Sequence, residues 1–322
     1  MLKDYHYLKR ANTPFIDRHV TKVTDLIKTW DGNSIHDIGL IGVPLSKTSI
    51  SHSGAAFAPQ TIRKALGAFT TYSIDDDLDL SSWKIDDLGD VTMHVTDLLV
   101  SQNRVYETLE QLFLNHPHFI PIVLGGDNSI SYPTIKAFSK AKGKVGVIQF
   151  DAHHDVRNLE DGGPSNGTPF RSLIESKTIQ GKHLVQVGIR DFANSREYRT
   201  YAKENDVVVH SMKEVRERNI VDILKADLEI IKKDVDVIYV SVDMDVLDQS
   251  QAPGCPAIGP GGMDAITLFE AISYLAQDEK VKGLEIVELD PTVDFRDMTS
   301  RVAAHVILNF LKGKQKSGYK HV

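Results

Sequence analysis

The chain of 322 residues has a single cysteine, Cys255. That excludes an intramolecular disulfide and suits a reducing compartment. No apolar run is long enough to span a bilayer, and the opening Met1-Leu-Lys-Asp-Tyr-His lacks the apolar core of a signal peptide. The expected location is therefore cytoplasmic, with no membrane partner. No Lys/Arg-rich run stands out and the formal net charge is -7, so a nucleic-acid partner is not expected either. Internal repeats, linkers and low-complexity tracts are also missing. What remains is 41% hydrophobic and 25% charged, an ordinary globular composition that can bury a sizeable core.

Strand-like and helix-like segments alternate along most of the chain. Residues 1–35 read as an N-terminal arm with one short helix, 36–315 as a single catalytic domain, and 316–322 as a C-terminal tail. Strands are expected at 36–43, 85–91, 119–124, 144–150, 183–189, 207–209, 235–242 and 281–288. Helices are expected from Ala58-Pro59 onward, where proline suits a first turn, and over 96–115, to about 139, 195–205, 219–233, 264–277 and 298–312. This alternation predicts an α/β fold: one three-layer α/β/α domain around a mostly parallel sheet. Two long Gly/Pro-rich loops, 156–169 and 248–263, come after strand ends, where open α/β sheets bind ligands.

The most informative segment is Val237-Ile-Tyr-Val-Ser-Val-Asp-Met-Asp-Val-Leu-Asp248. Its apolar, β-branched part reads as a buried strand, yet it ends in Asp243, Asp245 and Asp248. Buried carboxylates cost several kcal/mol each, roughly, unless paired or metal-bound. Lys144-Val-Gly-Val-Ile-Gln-Phe150 ends similarly, in Asp151-Ala-His-His-Asp155. An extended backbone would put Asp151, His153 and Asp155 on one face, and Asp243 beside Asp245. A solvated acidic loop would account for either segment alone. Two of them, each at a strand's C-terminal end, argue for a cation. Oxygen ligands with an imidazole suit Mn²⁺ or a similar divalent ion better than a thiolate metal.

Three blocks in order, Gly125-Gly-Asp-Asn-Ser129, Asp151-Ala-His-His-Asp155 and Ser241-Val-Asp-Met-Asp-Val-Leu-Asp248 with Ala252-Pro-Gly254, resemble the ureohydrolases, the family of arginases, agmatinases and formiminoglutamases. Gly54 with Pro59 to Arg63, Gly188-Ile-Arg190, and Glu288 with Pro291 also match, so the resemblance covers about 36–312. It implies an arginase-like fold with two Mn²⁺ ions per subunit, a bridging hydroxide as nucleophile, and a homo-oligomer, trimer or hexamer. It also implies that Asp151 and Asp243 bridge both ions, that Asp155 and position 128 ligate the first, and that His153 and Asp245 ligate the second.

Two departures from the family pattern matter. The histidine usual at position 128 is Asn128, which can be a weak ligand or a helix cap; either way the first site should hold its ion more weakly. A histidine common in the block Ser165-Asn-Gly-Thr-Pro169 is Asn166, which cannot titrate. Both changes resemble the formiminoglutamase branch. Its substrate is a small anionic amidine with two carboxylates, and Arg157 and Arg171 are candidate partners for these, with Asn166 nearby.

The resemblance thus implies metal-dependent hydrolysis of N-formimino-L-glutamate to L-glutamate and formamide, a step of histidine degradation, with Glu288 orienting the amidine and Asp155 carrying a proton to the leaving amine. The alternatives are an agmatinase or other guanidino-acid ureohydrolase, and a non-catalytic metal-binding homologue. His154, pointing opposite to its neighbours, reads as a packed or surface histidine, Asp127 as structural, Asp248 as turn-forming or as a support behind the ligands, and Cys255 as unactivated.

Overall fold

A computed structural model of the chain describes Leu8, residues 17–52 and residues 54–321. Its strands are β1 (Ile27–Thr29), β2 (Ile38–Val43), β3 (Tyr72–Ser73), β4 (Leu78–Asp79), β5 (Ile85–Asp90), β6 (Ile120–Gly125), β7 (Val145–Phe150), β8 (Leu184–Ile189), β9 (Val208–Ser211), β10 (Val237–Asp243) and β11 (Val281–Val287). Its helices are α1 (Ala58–Leu66), α2 (Leu98–Asn115), α3 (Ser131–Lys142), α4 (Pro169–Glu175), α5 (Arg196–Glu204), α6 (Met212–Glu217), α7 (Ile220–Ile231), α8 (Ala265–Ala276) and α9 (Met298–Lys316).

Nine strands form one sheet in the order β1-β5-β2-β6-β11-β10-β7-β8-β9, and every pairing in it is parallel. The central strands are apolar runs because both faces are covered. Ile62 of α1, Leu224 of α7, Leu268 of α8 and Phe310 of α9 belong to the core on one face. Val105 of α2, Ile135 of α3, Leu173 of α4 and Ala202 of α5 belong to the core on the other. This is the expected three-layer α/β/α architecture.

Five features were not expected. The β3–β4 hairpin, α4 and α6 are short, so they carry little periodic signal. β1 lies where an arm with a short helix was expected: a 3-10 turn at Val23–Leu26 runs into it, and Ile27 then pairs with Ile85 at the sheet edge. The earlier part of that arm lies largely outside the described residues. At the other end α9 continues to Lys316, and Tyr319 stacks on the buried Trp83 with ring centroids 5.1 Å apart.

Strand order decides the site. β6, β11, β10 and β7 are consecutive neighbours at the middle of the sheet, so the segments leaving their C-terminal ends must converge. The backbone crowds there. A Cβ on Gly126 would come within 1.7 Å of the Leu45 carbonyl oxygen, so only glycine lets the turn after β6 pass under that segment.

Candidate metal centre

Asn128 comes after β6, Glu288 after β11, Asp243 ends β10 with Asp245 beyond it, and Asp151, His153 and Asp155 come after β7. Ligand atoms of Asp151, His153 and Asp155 all lie within 4.8 Å of one another, as do those of Asp151, Asp243 and Asp245. The expected convergence is present, but extended backbone is not its cause. Asp245 sits in a 3-10 turn, Met244–Val246, whose first N–H groups are capped by Asp243: Asp245 N–H donates to Asp243 Oδ1 at 2.9 Å. His153 N–H likewise donates to Asp151 Oδ1 at 2.6 Å. Asp155 has φ +49°, a left-handed conformation uncommon for a non-glycine residue. Short aspartate-capped bends therefore aim these groups inward.

The sides of the cluster are tied together. Asp245 Oδ1 accepts from Ala152 N–H at 3.1 Å, and its Oδ2 lies 2.9 Å from His153 Nδ1. The Asn128 amide nitrogen lies 2.7 Å from Asp155 Oδ2 and 3.3 Å from both Asp151 Oδ2 and Asp243 Oδ2. Asn128 Oδ1 accepts from the Ser131 hydroxyl at 2.6 Å. Its side chain therefore faces the carboxylates. Asn128 opens a 3-10 turn, Asn128–Ile130, capped by Asp127, whose Oδ1 accepts from Ser129 N–H; Asp127 Oδ2 also accepts from Thr48 N–H and hydroxyl at 3.0 Å each.

Glu288 also has a positive φ, +59°. Its Oε1 accepts from Asn128 N–H at 2.6 Å and from Asn166 Nδ2 at 3.2 Å. Asn166 Oδ1 is buried without a hydrogen-bond partner among the described residues. Two left-handed acidic residues flanking one cluster are strain of about 1–3 kcal/mol each, which tends to persist at functional sites.

The electrostatics call for a cation. Burial, then the charge of Asp245, pushes Asp151 up to about 6. Burial and neighbouring carboxylates raise Asp155 and Asp243 well above the ordinary carboxylate value. Burial and the Asp127 charge push Glu288 to about 8. Asp245 moves the other way: burial raises it, but the charge of His153 overrides that and lowers it. His153 rises to about 12, chiefly through the Asp245 charge. One imidazolium cannot neutralise these five carboxylates. Divalent ions bound through carboxylate and amide oxygens and one imidazole fit this donor set. Cys255 does not compete as a ligand, since burial pushes its thiol far above the ordinary range.

The outer residues differ in fate. Arg157 is exposed and lies along Gly167, where a Cβ would come within 2.5 Å of its Cδ. Arg171, a candidate partner for a substrate carboxylate, has protein partners of its own. Its Nε bonds Glu175 at 2.7 Å, Nη1 bonds the Val156 carbonyl, and the guanidinium stacks 4.3 Å from the Tyr201 ring centre. Placed on α4, its i,i+4 partner and the ring of α5 capture it. Arg190 reaches the carbonyl oxygens of Asp245 and Leu247 and so braces the Asp245 turn. A cavity of about 510 Å³ opens beside His153, walled by Arg190, Phe192, Lys213, Arg216 and Ile258. Asp248 is turn-forming: it accepts from Ser250, Gly261 and Gly262 and sits near pKa 2. Sequence reading passed over Gln149, whose Nε2 donates to Asp151 Oδ2 at 2.7 Å. The available signal was an amide inside an otherwise apolar strand.

Comparison with known proteins agrees with this geometry. The arginase-family model matches residues 36–312. A formimidoylglutamase of Halalkalibacterium halodurans is 62% identical, the match covering 97% of this chain and 98% of the relative. The crystal structure of formimidoylglutamase from Bacillus subtilis superposes with a TM-score of 0.94 at 55% identity, covering 97% of each chain. A Trypanosoma cruzi formiminoglutamase crystal structure with Mn²⁺ gives a TM-score of 0.83 at 25% identity, over 92% of this chain and 98% of that one. The chain belongs to the arginase family.

Proposed function

We propose that this protein hydrolyses N-formimino-L-glutamate to L-glutamate and formamide, using two Mn²⁺ ions per subunit. Asp151 and Asp243 would be shared by both ions, Asp155 and Asn128 would complete the first site, and His153 and Asp245 the second. When bound, paired divalent ions supply a nucleophile by lowering the pKa of water toward neutrality. Asn128 can serve with modest rearrangement. Half a turn of its amide presents Oδ1 to the cluster and Nδ2 to Ser131, whose hydroxyl accepts as readily as it donates.

The chain's own residues supply the rest. Glu288, held by Asn128 N–H and Asn166 Nδ2, accepts from the amidine N–H groups and orients the formimino carbon. Asp155 passes a proton to the departing glutamate nitrogen. Arg157, on the rim, pairs with a substrate carboxylate. Arg171 is already engaged and is left out of this role. The active form is a homo-oligomer, a trimer or hexamer.

The observation that carries the substrate is the 62% identity along 97% of the chain to a formimidoylglutamase. The test is turnover of N-formimino-L-glutamate, agmatine and L-arginine by the purified protein with and without Mn²⁺. The expected result is Mn²⁺-dependent release of glutamate from the first compound alone. Preferential turnover of agmatine or arginine would overturn the assignment.

A further inference from the structure

We propose that Gln149, Gln186 and His154 form a directed hydrogen-bond chain that positions Asp151 for metal binding. The three residues come from two adjacent strands and the bend that carries the ligands. Gln149 is on β7, Gln186 is its register partner on β8, and His154 lies between His153 and Asp155. All three are buried, and Gln149 and Gln186 have no exposure at all.

The direction of the chain is set by groups that can only accept. Gln149 Nε2 donates to Asp151 Oδ2 at 2.7 Å and to the His153 carbonyl oxygen at 3.3 Å. Both are acceptors, so this amide has one orientation, with Oε1 turned toward β8. Gln186 Nε2 donates to that Oε1 at 2.7 Å and to the His154 carbonyl oxygen at 2.8 Å. The carbonyl again fixes the amide. Gln186 Oε1 therefore faces His154 Nδ1, 2.6 Å away, and the proton between them belongs to the imidazole. The links therefore run in one direction, from His154 through Gln186 and Gln149 to Asp151, while the second N–H of each amide goes to a backbone carbonyl.

This polarity has a consequence for the carboxylate. Asp151 Oδ1 is turned by His153 N–H and Oδ2 by Gln149, so its plane is held from both ends before any ion arrives. Groups behind a ligand orient it and tune its basicity. The chain also ties the bend carrying His153 to β8. Asn194 secures the same bend, accepting from His154 N–H at 2.8 Å and donating to the Ala152 carbonyl at 2.9 Å.

This inference rests on Asp151 being a metal ligand. The experiment compares the full-length wild-type protein with Gln186→Met, His154→Asn, His154→Leu and Asp151→Ala. Mn²⁺ affinity is read by calorimetric titration, kcat and KM by turnover, and folding by the melting temperature of the metal-free protein. Gln186→Met keeps length and removes both polar groups. It should weaken Mn²⁺ binding by roughly tenfold or more and lower kcat while KM at saturating Mn²⁺ stays within about twofold. Asn places a nitrogen donor where imidazole Nδ1 stands, so His154→Asn should retain affinity that His154→Leu loses. A purely packing role gives the reverse order, because leucine fills the space better. Wild-type Mn²⁺ affinity in Gln186→Met, or His154→Leu matching or exceeding His154→Asn, overturns the chain. If Gln186→Met fails to fold, the histidine pair alone decides it. Undiminished Mn²⁺ binding by Asp151→Ala would instead overturn the ligand assignment beneath it.

Discussion

The side-chain nitrogen of Asn128 lies 2.7 Å from Oδ2 of Asp155. The two residues come from different strand ends and meet only through the fold. Position 128 thus faces the carboxylates, and the 3-10 turn that it opens, Asn128–Ile130, is capped by Asp127 instead. Asn128→His should then tighten Mn²⁺ at the first site, since imidazole is the stronger donor, by roughly tenfold or about 1.4 kcal/mol. Little stability should be lost through capping. Dialysed wild-type protein should keep ion at the His153 site, lose it at the Asn128 site, and recover activity when Mn²⁺ is added. Equal first-site affinity in calorimetric titrations of the two folded proteins would show that this side chain makes no contribution to the ion.

Asp151→Ala and Asp243→Ala should each abolish metal binding and activity together, because each carboxylate is shared in the proposed site. Metal content per chain after gel filtration, measured beside turnover, is the check. Two Mn²⁺ retained in either variant would sink the shared-ligand assignment.

The two arginines should part company. Arg157→Ala should raise KM for N-formimino-L-glutamate by the loss of a charge-assisted contact, roughly 1.5–3 kcal/mol. Its exposure puts the effect near the lower end. Arg171→Ala should leave KM unchanged and lower the melting temperature instead, since its partners are Glu175, Val156 and the Tyr201 ring. A KM change confined to Arg171→Ala would reverse these roles.

The metal-free protein should lose stability as pH rises. Asp151 moves from an ordinary 3.8 to about 6 and Glu288 from 4.5 to about 8 on folding. Below the ordinary values both states carry these protons. Above them the unfolded chain releases protons that the folded chain keeps, so the contribution to stability is lost as pH climbs toward the folded values. His153, raised to about 12 by Asp245, acts in the same direction above its ordinary 6.5. Melting temperatures of metal-free protein should therefore fall between about pH 4.5 and 8. Glu288→Gln has no proton to lose there and should flatten the upper part of that fall. An unchanged slope in this variant would show that Glu288 is not held protonated by its surroundings.

Much of the site was legible because its signals are local. Aspartates ending apolar, β-branched runs are out of place without a cation, and Asn128 stands out against the family pattern. The cause of their convergence differs from the one the sequence suggests. Alternation along extended strands would align Asp243 with Asp245 and Asp151 with His153, whereas capped turns and the positive φ of Asp155 do so in the structure. Turn geometry of this kind depends on side-chain acceptors meeting particular N–H groups, which periodicity does not encode.

The sequence by itself determined the order and type of the long elements, the parallel α/β class, and the oxygen-rich character of the donor set. These arise from hydrophobic runs, Gly/Pro punctuation and residue chemistry within short windows. Tertiary structure alone decided that β6, β11, β10 and β7 are neighbours, so that Asn128 meets Asp243 across the strand ends. It also decided that Arg171 is captured by Glu175 and Tyr201, and that Gln149 and Gln186 sit side by side behind Asp151. Strand order is set by how the crossover helices pack on the two faces of the sheet. That is a balance of contacts between residues far apart in the chain, and no local segment carries it.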